Sequence, residues 1–220
     1  MRFSADFLPL DRLLQPLEPG NSVFLKGPAS STVAELLAFR AQLPKERGGL
    51  DSRTLFIDGG NCSDPYLFAS FARRYSIDTK KALRRVTNCR VFTMYQLASL
   101  LTTDVQKMAE THGSNLLVVA GLLGTFNEPE TSRNEATRLL DAIRHGIGEA
   151  KRKLVVIVTL DSPNRYDEIV CGWSDTLVDL SPKGKRVRAE LLRHPTKGPD
   201  ACEFTTSQLF NPDSLLEVVR

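Results

Sequence analysis

What this chain lacks sets the first limits on what it can do. No two cysteines stand at C-x-x-C spacing: Cys62, Cys89, Cys171 and Cys202 are far apart in sequence, which leaves a zinc site or a dithiol redox centre without support. Scattered thiols in a chain of 220 residues are the habit of a reducing compartment. No apolar run approaches the length that crosses a bilayer. The opening, "MRFSADFLPLDRLLQPLEPG", carries acids and prolines where a signal peptide needs an unbroken apolar core. An intracellular, soluble protein with no membrane partner is therefore expected. Only three histidines occur, His112, His145 and His194. They match no triad or metal spacing, so no metal site is expected. Neither sign of charge dominates: the formal net charge is +3, which permits a nucleic-acid partner without arguing for one. Internal repeats, low-complexity segments and long linkers are also missing.

What is present reads as one ordinary globular domain, residues 1–220, with an apolar fraction of 41% and a charged fraction of 25%. Short β-branched or aromatic runs read as buried strands at Val23–Leu25, Leu55–Asp58, Arg90–Thr93, Leu116–Ala120 and Leu154–Thr159. Helical patterns lie between them. Met94–Met108 places Leu97, Leu101, Val105 and Met108 on one face. Thr131–Ala150 does the same with Ala136, Leu139, Leu140, Ile143 and Ile147. Alternating strands and helices with continuously apolar strands predict a largely parallel sheet covered on both sides. After Pro163 the pattern changes. Val187–Leu192 and Ala201–Thr205 read as strands, and "SPKGK" (Ser181–Lys185) as a turn, so antiparallel strands are appended to the parallel core. The tail from Asn211 reads as a short helix or frayed end.

One stretch has the outline of a site. In "SVFLKGPASSTVAELL" an apolar strand meets Gly27, a short small-residue loop follows, and a helical pattern begins. This is the shape of a phosphate-binding loop, G-x-x-x-x-G-K-[ST]. Counting from Gly27, the second glycine, the lysine and the hydroxyl should be residues 32, 33 and 34. The chain has Thr32, Val33 and Ala34. The lysine of such a loop contacts the β- and γ-phosphates and the hydroxyl holds Mg²⁺; Val33 and Ala34 can do neither. Lys26, at the end of the strand, lies on the wrong side of the loop to replace the lysine.

Several stretches, taken in order, resemble the ATPase core of the RecA/RadA/Rad51 recombinases, closest to the archaeal and eukaryotic branch and its paralogues. "LPLDRLLQPLEPGNSVFLKGP" is similar to that family's approach to the phosphate loop. "LFIDGGNCSDPYLFASFARRYSID" resembles its second strand and helix. "NLLVVAGLLGTF" stands where the Walker B strand belongs, and "LVVIVTLDSP" where the next strand ends. "LVDLSPKGKRVRAELLRHPTKGPDACEFTTSQLF" resembles the closing β-hairpin and the proline-containing segment after it. The resemblance implies an α/β fold: a RecA-like P-loop ATPase core with a largely parallel sheet, flanking helices and antiparallel C-terminal strands.

Against that family, the departures fall on chemistry. Besides Val33 and Ala34, Ala120 stands at the Walker B acid and Gly60 at the glutamate that orients the attacking water. The polar sensor pair falls near Leu160 and Asp161. Phosphoryl transfer depends on positioning and charge stabilisation, so these losses predict a pseudo-ATPase with no catalytic residues, no nucleotide at Gly27 and no cofactor. The resemblance implies assembly with a RadA/Rad51-type recombinase or another paralogue, as a homo- or hetero-oligomer, in homologous recombination and DNA repair. Its location would be the nucleoid-associated cytoplasm of a prokaryote or the nucleus of a eukaryote. In that family the segment after the hairpin caps a neighbour's nucleotide; here it is "HPTKGPDA", with Pro195 and Lys197 as the cap residues. Single-stranded DNA is the other implied partner, met by Lys183, Lys185, Arg186 and Arg188 on the hairpin and by Arg133 and Arg165 in the two loop regions. A second basic cluster, Arg73, Arg74, Lys80, Lys81, Arg84 and Arg85, follows the second strand. The competing reading is a RecA-superfamily regulatory or scaffold module with no DNA role.

Overall fold

The computed structural model describes residues 3–126 and 132–210. Eight strands form one sheet: β1 (Ser22–Lys26), β2 (Arg53–Asp58), β3 (Val86–Arg90), β4 (Ser114–Ala120), β5 (Val155–Leu160), β6 (Thr176–Lys183), β7 (Arg186–Arg193) and β8 (Ala201–Phe204). Their order is β3-β2-β4-β5-β1-β6-β7-β8. The first six in that order run parallel, and β7 and β8 close the sheet antiparallel. The expected architecture is therefore the observed one.

The strands are apolar on both sides because both sides are covered. Along β1, Val23 and Leu25 enter one core while Phe24 enters the other, as the two-residue period of a strand requires. On the first face lie α1 (Leu8–Leu14), α2 (Ser30–Arg40), α3 (Pro65–Arg74) and the short α4 (Thr79–Leu83). On the second lie α5 (Met94–Ser99), α6 (Val105–His112), α7 (Arg133–Lys151) and, near the end of the sheet, α8 (Asp167–Cys171).

Three sequence expectations need correction. The turn expected over Ser181–Lys185 is confined to Gly184 and Lys185, because Ser181–Lys183 continue β6 in pairing with β7. The third strand is Val86–Arg90, not Arg90–Thr93. It forms the edge of the sheet and is only partly buried, so it has no need of a continuous apolar run; Val91 and Phe92 instead lead out of it toward α5. The helix expected over Met94–Met108 runs on to His112 and is not uniformly α-helical, because residues Leu100–Asp104 form a π-helical turn between α5 and α6. Leu97, Leu101 and Val105 are spaced by four residues, which drifts around an α-helix of 3.6 residues per turn. The wider π turn keeps all three buried together, while Met108 is only partly buried. In α7 the expected stripe is buried except for Leu139, which is half covered. Thr131, the start expected for that helix, and the tail from Asn211 lie outside the described residues.

The π turn packs against α7 at a glycine. A Cβ on Gly146 would stand 2.7 Å from the Leu101 carbonyl oxygen, whereas one on Gly148 would meet nothing within 4 Å. Gly146→Ala is expected to destabilise the fold by about 1–3 kcal/mol, since a methyl is forced against backbone. Gly148→Ala should be neutral or stabilising by up to about 1 kcal/mol through helix propensity. Urea denaturation of the two variants side by side checks the contrast.

Candidate functional site

Because β1, β2, β4, β5 and β6 run parallel, their C-terminal ends meet at one end of the sheet, and the loops there build the candidate site. Gly27 leaves β1 at φ +103°. A side chain on it would put Cβ 2.6 Å from the Leu180 carbonyl oxygen, so only glycine fits this close passage to β6. Its N–H donates to the Leu160 carbonyl at 2.9 Å. Only Pro28 and Ala29 then intervene before α2 begins at Ser30. The loop is shorter than straight counting from Gly27 assumes. The first turn of α2 therefore carries Ser30, Ser31 and Thr32. Val33 and Ala34 point into the core and are fully buried.

The N-terminus of α2 has no side-chain cap from Ala29, yet it meets an anion of its own chain. Asp161, just beyond β5, accepts hydrogen bonds from Ser30 Oγ at 2.7 Å and Ser31 Oγ at 2.5 Å. Its other oxygen accepts from Thr159 Oγ1 at 2.7 Å and from Cys62 Sγ at 3.4 Å. Burial, reinforced by the Asp161 charge, pushes the Cys62 thiol up to about 12, so it remains a donor. A carboxylate here suits both the orphan N–H groups and the positive end of the helix dipole. The sequence placed Asp161 only at a sensor position. Nothing in the run of hydroxyls at 30–32 shows which acid they will face.

The positions opposite are closed by glycine. Gly59 N–H donates to the Ala120 carbonyl at 2.9 Å, and Ala120 is fully buried. A Cβ on Gly60 would meet Cys62 Sγ at 2.5 Å and Gly121 Cα at 2.9 Å. Asp58 is buried and turns back to accept from the N–H groups of Cys62 and Ser63, at 2.8 and 3.3 Å. A cavity of about 400 Å³ opens beside these loops, with Asn61, Cys62, Asp161 and Asn164 in its wall and Arg90 and Phe92 on the β3 side. The Arg90 guanidinium lies 5.7 Å from the centre of the exposed Phe92 ring. Lys26 is drawn to Asp167 at 3.3 Å. Among the described residues no three His, Cys, Asp or Glu side chains are grouped so as to hold a metal ion.

The basic residues singled out from sequence divide by their partners. Arg186 and Arg188 share the exposed face of β7, opposite the buried Val187 and Ala189. Lys183 is bonded to Glu203, whose carboxyl that bond holds below its ordinary range. Arg188 is paired with Glu190 at 3.2 Å. Lys185 and Arg186 keep no ion pair among the described residues. Arg133 is exposed at the start of α7, and Arg165 lies exposed over the Tyr166 ring at 4.8 Å; most of the loop before Arg133 lies outside the described residues. All six lie toward the phosphate-loop end of the sheet.

The segment holding Pro195 and Lys197 follows the antiparallel β7 and so lies at the opposite end. It is docked on its own chain. His194 Nδ1 accepts from the N–H groups of Thr196 and Lys197, both at 3.0 Å, which leaves Nε2–H to donate to the Gln15 carbonyl at 2.8 Å. The Lys197 ammonium donates to the Arg12 carbonyl at 2.6 Å; partial burial draws it below the usual lysine range, against the opposing effect of Asp200. Pro195 is exposed. His194 thus organises this loop.

Glu35, one residue past Ala34, is 2% exposed. Its Oε1 accepts from the Asp64 N–H at 2.5 Å and its Oε2 has no partner among the described residues. Burial pushes its carboxyl up to about 8; the Asp64 N–H opposes this and the charges of Asp64 and Asp58 add to it. Between its ordinary 4.5 and about 8 the unfolded chain releases this proton and the folded one keeps it. Stability should therefore fall with rising pH across that window by about 1.4 kcal/mol per pH unit from this group. Glu35→Gln is expected to remove that slope, read as the difference in denaturation free energy between pH 5 and 7.5.

Set beside known proteins, residues 27–158 match the Rad51 family model, well over half of the chain. The chain is similar to "DNA repair protein RAD51" of Saccharomyces cerevisiae, 29% identical over 105 residues that cover 48% of this chain and 26% of that protein. It is also similar to "DNA repair protein RAD51" of Mycosarcoma maydis, 29% identical over 105 residues that cover 48% of this chain and 31% of the relative. It spans less than a third of the length of these curated relatives. With the eight-stranded sheet, its order and the strand-to-helix loop at Gly27 all in place, the chain belongs to the Rad51 family.

Proposed function

We propose that this chain is a non-catalytic RecA-fold paralogue, one core domain that assists a recombinase in homologous recombination and DNA repair through protein contacts instead of by turning over ATP. The observation that carries this reading is the Asp161 carboxylate bonded to Ser30 and Ser31 at the first turn of α2. A phosphate-binding loop presents that turn to phosphate. Here a fixed negative charge of the chain stands there, and a nucleotide phosphate would have to displace it against like-charge repulsion.

The surroundings support the same conclusion. The positions that straight counting gives to the lysine and the Mg²⁺-holding hydroxyl are buried as Val33 and Ala34. The first turn of α2 holds hydroxyls and no lysine. A glutamate at residue 60 would collide with Cys62 and Gly121, so the carboxylate that orients water has no room. The partner is a RadA/Rad51-type recombinase or another paralogue, and the docked loop with Pro195 and Lys197 is the candidate contact to its nucleotide site. Among the hairpin cations, Lys185 and Arg186 are the ones left to meet a DNA strand, with Arg133 and Arg165 at the same end.

Titration with a fluorescent ATP analogue and Mg²⁺ should show no saturable binding up to roughly millimolar concentration, and a micromolar Kd overturns the proposal. Asp161→Ala should unmask the helix end, so that inorganic phosphate binds it on the order of millimolar where the unaltered protein shows nothing. Gly60→Glu should cost about 1–3 kcal/mol of stability by overpacking and restore no hydrolysis. Denaturant melts and a phosphate-release assay read the two effects.

A further inference from the structure

The far end of the sheet, where β2, β3 and β4 begin, carries a charged cavity that the reading above does not use. It encloses about 640 Å³ and is lined by Arg53, Lys80, Lys81, Arg84 and Arg85, with Asp51, Asp78, His112 and Gly113 completing the wall. Three segments that are distant in sequence converge here. Arg53 opens β2, Lys80 to Arg85 run along α4 into β3, and His112 ends α6 just before β4. The fold also sorts the basic cluster singled out in sequence. Arg74 is tied to the Leu209 carbonyl and lies 3.9 Å from Asp6, and Arg73 bonds the Ser70 hydroxyl on α3, so Lys80, Lys81, Arg84 and Arg85 are the members of the cluster that line the cavity.

The two acids do not neutralise this charge. Asp78 is the N-cap of α4 and accepts from the Lys81 N–H at 2.7 Å. Asp51 pairs with Arg85 at 3.5 Å. Arg53, Lys80, Lys81 and Arg84 make no side-chain ion pair or hydrogen bond among the described residues, and all four are exposed. The Arg85 Nε is buried with no hydrogen-bond partner among them. On the hairpin, by contrast, two of the four cations already hold carboxylates. More unpaired cations therefore meet here than on the hairpin, at the end away from the phosphate loop.

We propose that this cavity is a binding site for the phosphodiester backbone of duplex DNA. Four unpaired cations, three along α4 and its end and one at the start of β2, suit a row of phosphates better than one small anion. Arg53 and Arg84 can each donate two N–H groups to a phosphate, and Lys80 and Lys81 act as point charges. No phenylalanine, tyrosine or tryptophan lines the cavity among the described residues, so it lacks the large aromatic platforms that hold unpaired bases. Recognition is of backbone charge: independent of sequence and steeply salt-dependent. The proposal does not depend on the nucleotide site being inactive.

The test is fluorescence anisotropy of a labelled duplex with the full chain, at two salt concentrations, comparing K81E/R84E with the hairpin variant K185E/R186E. The expected result is a loss of at least 10-fold in duplex affinity for K81E/R84E. The slope of log K against log salt should also become shallower by about 2, since each phosphate contact contributes roughly 0.9. Unchanged thermal midpoints confirm that both variants fold, as exposed charges allow. The inference is overturned if K81E/R84E binds duplex as the unaltered protein does, or if the unaltered protein binds none. Loss confined to K185E/R186E overturns it as well, and leaves the recombination reading standing. Pyrophosphate that displaces the duplex at equal concentration identifies a small-anion site and overturns it too. So does a K81E/R84E variant that loses a protein partner while keeping its duplex.

Discussion

The carboxylate of Asp161 at the first turn of α2 is the contact on which the phosphate-loop end of this molecule is organised. It joins three segments: the end of β5 through Thr159, the start of α2 through Ser30 and Ser31, and the loop after β2 through Cys62. Thr159 Oγ1 also accepts from the Gly121 N–H at 2.8 Å, which brings in the end of β4. The ends of β4 and β5, the start of α2 and the loop after β2 are thus bound to each other. The carboxylate ties the hydroxyls of the first turn of α2 to the end of β5 and stands at the positive end of that helix.

The loops around this contact are dense in glycine, and the β2 and β4 loops approach each other closely. Gly59, Gly60, Gly121 and Gly124 pass within distances that leave little or no room for a side chain. Asp58 caps the backbone of Cys62 and Ser63. A larger side chain at Gly60 or Gly121 would meet backbone and the Cys62 thiol.

Charge is divided between the two ends of the sheet. At the phosphate-loop end three cations hold carboxylates, Lys26 that of Asp167, Lys183 that of Glu203 and Arg188 that of Glu190, while Lys185, Arg186, Arg133 and Arg165 hold none among the described residues. At the other end the cations around α4 outnumber the acids, and those acids are occupied. The proline-containing loop at that end is pinned by the His194 ring and by Arg12, which pairs with Asp200 at 2.8 Å. A small core of this kind therefore offers two distinct faces for contact, one shaped by loop closure and one by unpaired charge.

The architecture was legible in the sequence because it rests on short-range pattern. Continuously apolar strands such as "LLVVA" and "LVVIVT" announce a sheet buried on both faces, and alternation with helices makes it parallel. The exception, β3, is an edge strand that needs only partial burial and so leaves a weak pattern. The absence of lysine after Gly27, of an acid at Ala120 and of a glutamate at Gly60 was equally legible, since it depends on identity alone. What fills those places was not. That Asp161 meets two serines 131 and 130 residues away, that Glu35 is buried with one oxygen unpartnered among the described residues, and that Lys183 is paired while Lys81 is free are all decided by which segments the sheet order sets side by side. A charge or a hydroxyl carries its chemistry in the sequence, but its partner, and hence what remains of that chemistry, comes only from tertiary proximity.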